Sequence, residues 1–205
     1  MSKKIVIAFE GIEGSGKTFH IDNVSKYLKR KKIPHIKLRE PGGNKNSEKI
    51  RKLILDKKSN FKKKTDLLLY LAARNENYEN LIKPNINKKV ILIDRFIDST
   101  MAYQHYGFSI NKNIINTLNN FVLGNLKPNF TFFHYVPIKY IKQNISGEKN
   151  KYDKFNKKFY KNVQDGFIKI LKKKTNKLII DSSRTKKYNV EIIKNKINKI
   201  LNIHD

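Results

Sequence analysis

Near the start of the chain stands Gly11-Ile12-Glu13-Gly14-Ser15-Gly16-Lys17-Thr18, a full match to G-x-x-x-x-G-K-[ST]. Gly11, Gly14 and Gly16 let the backbone turn with its N–H groups pointing into one concavity. A helix starting near Lys17 adds its positive dipole end. The Lys17 ammonium can reach β- and γ-phosphates as a point charge, and the Thr18 hydroxyl is placed to ligate Mg²⁺. The chemistry is therefore the binding of a nucleoside triphosphate with its metal. An acid belongs with it: Asp94 ends the apolar run Lys-Val-Ile-Leu-Ile-Asp that starts at Lys89, the place where such proteins keep an Asp beside the Mg²⁺.

These groups must be held by regular elements. Ile5 to Phe9 is long enough for one buried strand, and Ile21, Val24, Tyr27 and Leu28 recur at helical spacing after the loop. Further strands are expected at His35 to Leu38, Lys89 to Asp94, Phe130 to Val136 and Lys177 to Asp181. Helices are expected at Ser47 to Leu55, Asp66 to Ile82, Asn111 to Leu123, Pro137 to Asn144, Phe159 to Lys172 and Lys187 to Leu201. In the second of these, Leu67, Leu68, Leu71 and Ala72 read as one apolar side, and Pro84 ends it. Ile97 to Tyr106 is a polar, aromatic segment, and Ser146 to Lys158 a highly charged loop. Strands alternating with helices predict an α/β fold, a mainly parallel sheet of about five strands with helices on both faces. Nothing in the 205 residues reads as a linker or internal repeat, so one domain is expected.

The chain has no cysteine, which excludes a disulfide framework or thiolate zinc site and fits a reducing cytosol. No stretch approaches the ~18 apolar residues of a membrane span, so a soluble, cytoplasmic protein with no membrane partner is expected. The net charge of +28 suggests nucleic acid, but the lysines are spread through every segment together with Asn and Ile. That spread fits a compositional bias, and no specific nucleic-acid function is expected. Asn150-Lys151-Tyr152-Asp153 is a literal guanine-reading pattern of GTPases, yet Ser146-Gly147-Glu148-Lys149 precedes it where a buried strand is needed. It is discounted.

Throughout its length the sequence resembles thymidylate kinases. The resemblance rests on Phe9 to Thr18, on Arg39-Glu40-Pro41-Gly42-Gly43, on Leu71-Ala72-Ala73-Arg74, on Asp94-Arg95-Phe96 and on Ser99-Thr100-Met101-Ala102-Tyr103-Gln104, in the family's order and at similar spacings. It implies a P-loop fold with a short lid near 146–158, a homodimer, and transfer of phosphate from Mg-ATP to dTMP. It also implies roles for single residues. Tyr70, four before Arg74 on one helix face, stands where an aromatic stacks on thymine, and Arg74 bonds the base's carbonyl edge. Arg95 grips the acceptor phosphate, with Arg39 a weaker candidate. Thr100 and Gln104 serve the base's polar edge, and Tyr103 crowds the sugar 2′ position. Glu13 matches an acid placed near the acceptor's sugar 3′-hydroxyl or the metal waters, and Glu10 is expected to support the metal shell. The lid carries Lys151 where bacterial members of this type have an arginine, so Lys151 keeps the charge on the transferring phosphoryl but loses the fork geometry.

On this reading Lys17, Asp94, Arg95 and Lys151 carry catalysis, Thr18 and Asp94 hold the metal, and no protein base is required, because the attacking phosphate oxygen is already anionic. The alternatives are a P-loop kinase for another nucleoside monophosphate or a deoxynucleoside, a GTPase switch, and a nucleic-acid-binding ATPase.

Overall fold

The computed structural model describes residues 4–137, 140 and 155–203. Five strands, β1 (Val6–Gly11), β2 (His35–Arg39), β3 (Val90–Asp94), β4 (Phe130–Tyr135) and β5 (Lys177–Asp181), form one sheet in the order β2-β3-β1-β4-β5. Every pairing is parallel. The central strand β1 is buried along its whole length, as a strand covered on both faces must be. Its side chains alternate between two cores. Ile7 and Phe9 pack with Ile21, Val24 and Leu28 of α1 (Lys17–Arg30) and with Ile193 and Ile197 of α7 (Lys186–Leu201). Val6 and Ala8 pack with Leu67 and Leu71 of α3 (Lys63–Asn77) and with Ile115 and Val122 of α5 (Lys112–Leu123). The period-2 pleat thus puts helices on both faces. The remaining helices are α2 (Lys45–Leu55), the single turn α4 (Ile97–Thr100) and α6 (Lys157–Lys172).

All five expected strands are present within a residue or two. Two helical expectations need correction. The helix expected to reach Ile82 stops its α geometry at Asn77 and continues as a wider π turn, Tyr78–Ile82. The segment read only as polar and aromatic is helical, α4 running into a π-helical stretch, Met101–Gly107. The apolar side expected on α3 also divides: Leu67 and Leu71 are buried, but Leu68 is 56% exposed and Ala72 lies open beside it. The helix expected at Pro137 to Asn144 and the charged loop from Ser146, with Asn150, Lys151 and Asp153, lie outside the described residues or nearly so.

The chain goes from β1 outward to β2, returns to β3 beside β1, then crosses to β4 on the other side. The sheet's connections diverge at β1, and in open parallel sheets the crevice at the strands' carboxyl ends there is where ligands bind. Gly11 and Asp94, the last residues of β1 and β3, both sit at that end.

Candidate active site

The turn from β1 into α1 is built for close approach of the backbone. Gly11 has φ +143, and a Cβ there would meet the His134 carbonyl oxygen at 2.6 Å. Gly16 precedes the helix in the left-handed region, φ 82. The Lys17 Nζ donates to the Ile12 carbonyl at 2.8 Å and to Ser15 Oγ at 3.3 Å, which keeps the ammonium over the loop. Burial, then the charge of Arg95, brings its pKa down to about 8, with Asp94 and Glu13 opposing. The loop is tied to β5 by Ser182, whose Oγ donates to the Ser15 carbonyl at 2.8 Å. Beneath it His20 and His134 stack at 5.2 Å. Burial holds both rings neutral, His20 down to about 4 and His134 well below the ordinary histidine value.

Next to the loop, Thr18 Oγ1 donates to Asp94 Oδ2 at 2.8 Å. Asp94 Oδ1 is buried and has no hydrogen-bond partner among the described residues. A hydroxyl and a carboxylate with a spare oxygen fit Mg²⁺, which takes one or two protein oxygens and completes its shell with water and phosphate oxygens. Among the described residues no cluster of three or more His, Cys, Asp or Glu side chains competes for a metal. Glu10 does not join this shell. It is fully buried and accepts from the Phe96 N–H at 2.9 Å, the Ser99 N–H at 3.3 Å and the Ser99 hydroxyl. Glu10 thus binds the amides at the start of α4, where three donors are available only because the strand end and the helix start face each other. Burial, then the charge of Asp98, raises its pKa to about 7 against these hydrogen bonds.

Beside the loop opens a cavity of about 170 Å³, lined by Glu13, Tyr70, Arg74, Arg95, Thr100, Tyr103 and Gln104 among others. These expected acceptor-site residues come from the phosphate loop, α3, the end of β3, α4 and the π-helical stretch, and the fold brings them to one place. Arg95 has φ 67, a left-handed conformation rare for a bulky side chain, which costs about 1–3 kcal/mol and is found at functional sites. The Glu10 bond to the next amide and the Arg95 N–H to Phe9 carbonyl bond of 2.9 Å hold it there. Its guanidinium donates to the Gly11 carbonyl at 2.8 Å and to Glu13 Oε1 at 2.9 Å. The Tyr103 hydroxyl completes the group, donating to the other Glu13 oxygen and lying 3.5 Å from Arg95 Nη1. Burial works against both charges, yet the pair prevails: the Glu13 carboxyl is held below its usual value, mainly by Arg95 and Lys17, and Arg95 above its own.

At the far end of the cavity Arg74 is 2% exposed. Its Nε donates to Glu40 Oε2 at 2.7 Å, its Nη2 pairs with the same oxygen at 2.7 Å, and Nη1 donates to Asn119. A guanidinium fixed in this way presents its remaining N–H groups in one direction. Burial raises the Glu40 carboxyl pKa while Arg74 lowers it. Glu40 is set by the turn that follows β2, where Gly43 (φ +125) has no room for a side chain: a Cβ would stand 2.5 Å from Asn77 Oδ1.

Arg39 is not in this cavity. Its side chain is 54% exposed and rests on Glu48 at 3.2 Å. Arg51 of α2 lines the cavity instead, donating to the Pro41 carbonyl at 2.6 Å. Arg39 adjoins Pro41-Gly42-Gly43 in the chain, but the alternation of β2 turns it outward; Arg51, one helical turn past Ser47 on α2, belongs to no motif. Glu40 and Asn119 were likewise unassigned. Lys151 lies outside the described residues.

A parallel sheet with this loop at its switch point and a metal-fitting Thr–Asp pair defines a P-loop nucleotide-binding protein, and the arginine-lined cavity beside it suits a phosphotransferase. Residues 9–193 match the family model described as thymidylate kinase. Among curated relatives, the thymidylate kinase of Sulfurihydrogenibium sp. (strain YO3AOP1) is 38% identical over 176 residues, 85% of this chain and 86% of that one. The thymidylate kinase of Fervidobacterium nodosum is 34% identical over 200 residues, 97% and 98% of the two chains. The crystal structure of thymidylate kinase from Ehrlichia chaffeensis superposes with a TM-score of 0.75 at 32% identity, covering 98% of this chain and 99% of its own. The chain belongs to the thymidylate kinase family.

Proposed function

We propose that this protein transfers the γ-phosphoryl group of Mg-ATP to dTMP, giving ADP and dTDP. The observation that carries this reading is the Arg95–Glu13–Tyr103 group, placed between the phosphate loop and the cavity that ends at Arg74. An acceptor phosphate lies against Arg95 and Arg51, its sugar against Glu13 and Tyr103, and its base between Tyr70 and Arg74, with Thr100 and Gln104 at the polar edge. One acceptor phosphate oxygen attacks the γ-phosphorus in line; the new O–P bond forms as the bond to the β-phosphate bridging oxygen breaks, and ADP leaves. Lys17 and Arg95 neutralise the oxygens between them. Thr18 and Asp94 would hold Mg²⁺, which when bound would neutralise charge on the donor phosphates.

A deoxynucleoside acceptor would need a general base for its neutral hydroxyl. Glu13, the acid in the right place, has a lowered pKa and both oxygens engaged, which favours a phosphate acceptor. Chromatographic identification of the product tests the reaction: dTDP from dTMP is expected, and turnover of thymidine in preference to dTMP contradicts it.

The sequence further supports a single domain in which Lys151 of a lid near 146–158 meets the transferring group on closure; unchanged turnover in Lys151→Ala would remove that role. A homodimer is supported by an apolar surface across three neighbouring helices: Leu53 of α2, Leu68 of α3, and Ile114 and Phe121 of α5 are 52%, 56%, 52% and 87% exposed. A second copy covers it. Light scattering on Phe121→Asp is expected to give a monomer where the unaltered protein gives a dimer. No helix of the described residues is long and apolar enough to cross a membrane, and a cytoplasmic location fits the absence of cysteine.

A further inference from the structure

A second and larger cleft, of about 850 Å³, opens between α5 and α6 and shares no lining residue with the acceptor cavity. Its charge is one-sided. Lys112, Lys127, Lys169 and Lys173 stand around it, and among the described residues none of the four has a carboxylate within ion-pair distance. Asp98 is the one acid in the lining, and it is already neutralised: its buried carboxylate pairs with Lys174. A concavity rimmed by uncompensated ammonium groups focuses positive potential and attracts anions.

The rest of the lining suits more than a bare ion. Five asparagines present amides that both donate and accept, and Tyr106 offers a ring with the Lys169 ammonium 5.6 Å from its centre. One of these asparagines, Asn119, is buried and lines the cleft while its Oδ1 accepts from Arg74, which lines the neighbouring acceptor cavity. We propose that the α5–α6 cleft is a second binding site, for a polyphosphate chain carried by a nucleotide or free as inorganic polyphosphate, separate from the donor and acceptor sites. Four lysines spaced around one opening meet several phosphates at once, and a single orthophosphate leaves most of them unused.

Lysine is abundant along the whole chain, so the test must separate this cleft from general attraction. Calorimetric titration of sodium tripolyphosphate into the full protein is expected to give two sites. Lys17→Ala removes the phosphate-loop site and leaves the second. Reversing the exposed pair, Lys169→Glu with Lys173→Glu, weakens the second site about tenfold or more and leaves the first. The control reversal, Lys57→Glu with Lys58→Glu in the loop after α2, leaves both. With the phosphate loop disabled by Lys17→Ala, ATP binding that is tighter than tripolyphosphate and is weakened by the Lys169/Lys173 reversal identifies a nucleotide, and equal binding identifies the inorganic chain. A single site abolished by Lys17→Ala overturns the proposal, as does an equal loss from the control reversal.

Discussion

The phosphate loop and the acceptor cavity lie side by side at the end of one sheet and are built in opposite ways. The loop is eight consecutive residues whose work is done by backbone N–H groups, so its chemistry is local and its motif contiguous. The acceptor cavity is made of side chains from seven separate parts of the chain, held by ion pairs between side chains, of which Arg74–Glu40 is buried. A backbone cradle depends on glycine positions alone, whereas a side-chain cavity depends on partners that each hold another. Damage to the first is expected to cost catalysis and leave the fold; damage to the second reaches stability as well as acceptor affinity.

The largest expected effect tests the first half of that contrast. Lys17→Ala removes the charge proposed to meet the transferring group and is expected to lower kcat by about 10³-fold or more, with thermal stability and the KM for dTMP little changed. A comparable rise in that KM would show that the two regions are not separable. Glu40→Ala tests the second half. It leaves the Arg74 guanidinium buried without its carboxylate, and such a break costs about 3–5 kcal/mol. Urea denaturation should show the loss, and steady-state kinetics a raised KM for dTMP; unaltered stability would mean that Arg74 is not anchored through Glu40.

Between the two regions stands Glu10, which joins the end of β1 to the start of α4. Its folded pKa of about 7 lies above the ordinary glutamate value of 4.5, so the folded state holds the proton more tightly. The stability this lends is fully present below pH 4.5 and is lost as the pH rises through about 7. Glu10→Gln keeps an acceptor for the Phe96 amide but cannot ionise. Relative to the unaltered protein it is expected to gain on the order of 3 kcal/mol between the ends of that window. Parallel stability curves for the two proteins would refute the burial argument for Glu10.

The same contrast explains what was legible in the sequence. The loop, the five strands and the paired Tyr70 and Arg74 follow from local spacing, because motif, pleat and helical turn are all short-range. The strand-ending Asp94 was legible for the same reason. Arg51 is not legible as a site residue and Arg39 is not legible as an outward one, since which arginine reaches the cavity depends on the face of β2 and the packing of α2 on α3. Glu10 reads as support for the metal shell because it stands near a strand end beside the loop; only the fold shows the α4 amides that claim it. Leu68 reads with Leu67 and Leu71 as one apolar side because periodicity alone does not say which part of such a side is buried. The π geometry that carries Tyr103 and Gln104 has no sequence rule of comparable strength, and it turns both inward to the cavity.

The central claim is that the Arg95–Glu13–Tyr103 group reads a deoxynucleoside monophosphate. The direct test is the ratio of kcat/KM for dTMP to that for UMP, followed as ADP release from Mg-ATP in the unaltered protein and in Tyr103→Phe. The account predicts a strong preference for dTMP. It further predicts a roughly tenfold fall in kcat/KM for dTMP when the hydroxyl bonded to Glu13 is removed, as for one hydrogen bond to a charged group. Equal turnover of dTMP and UMP, or a Tyr103→Phe variant indistinguishable from the unaltered protein, would contradict it.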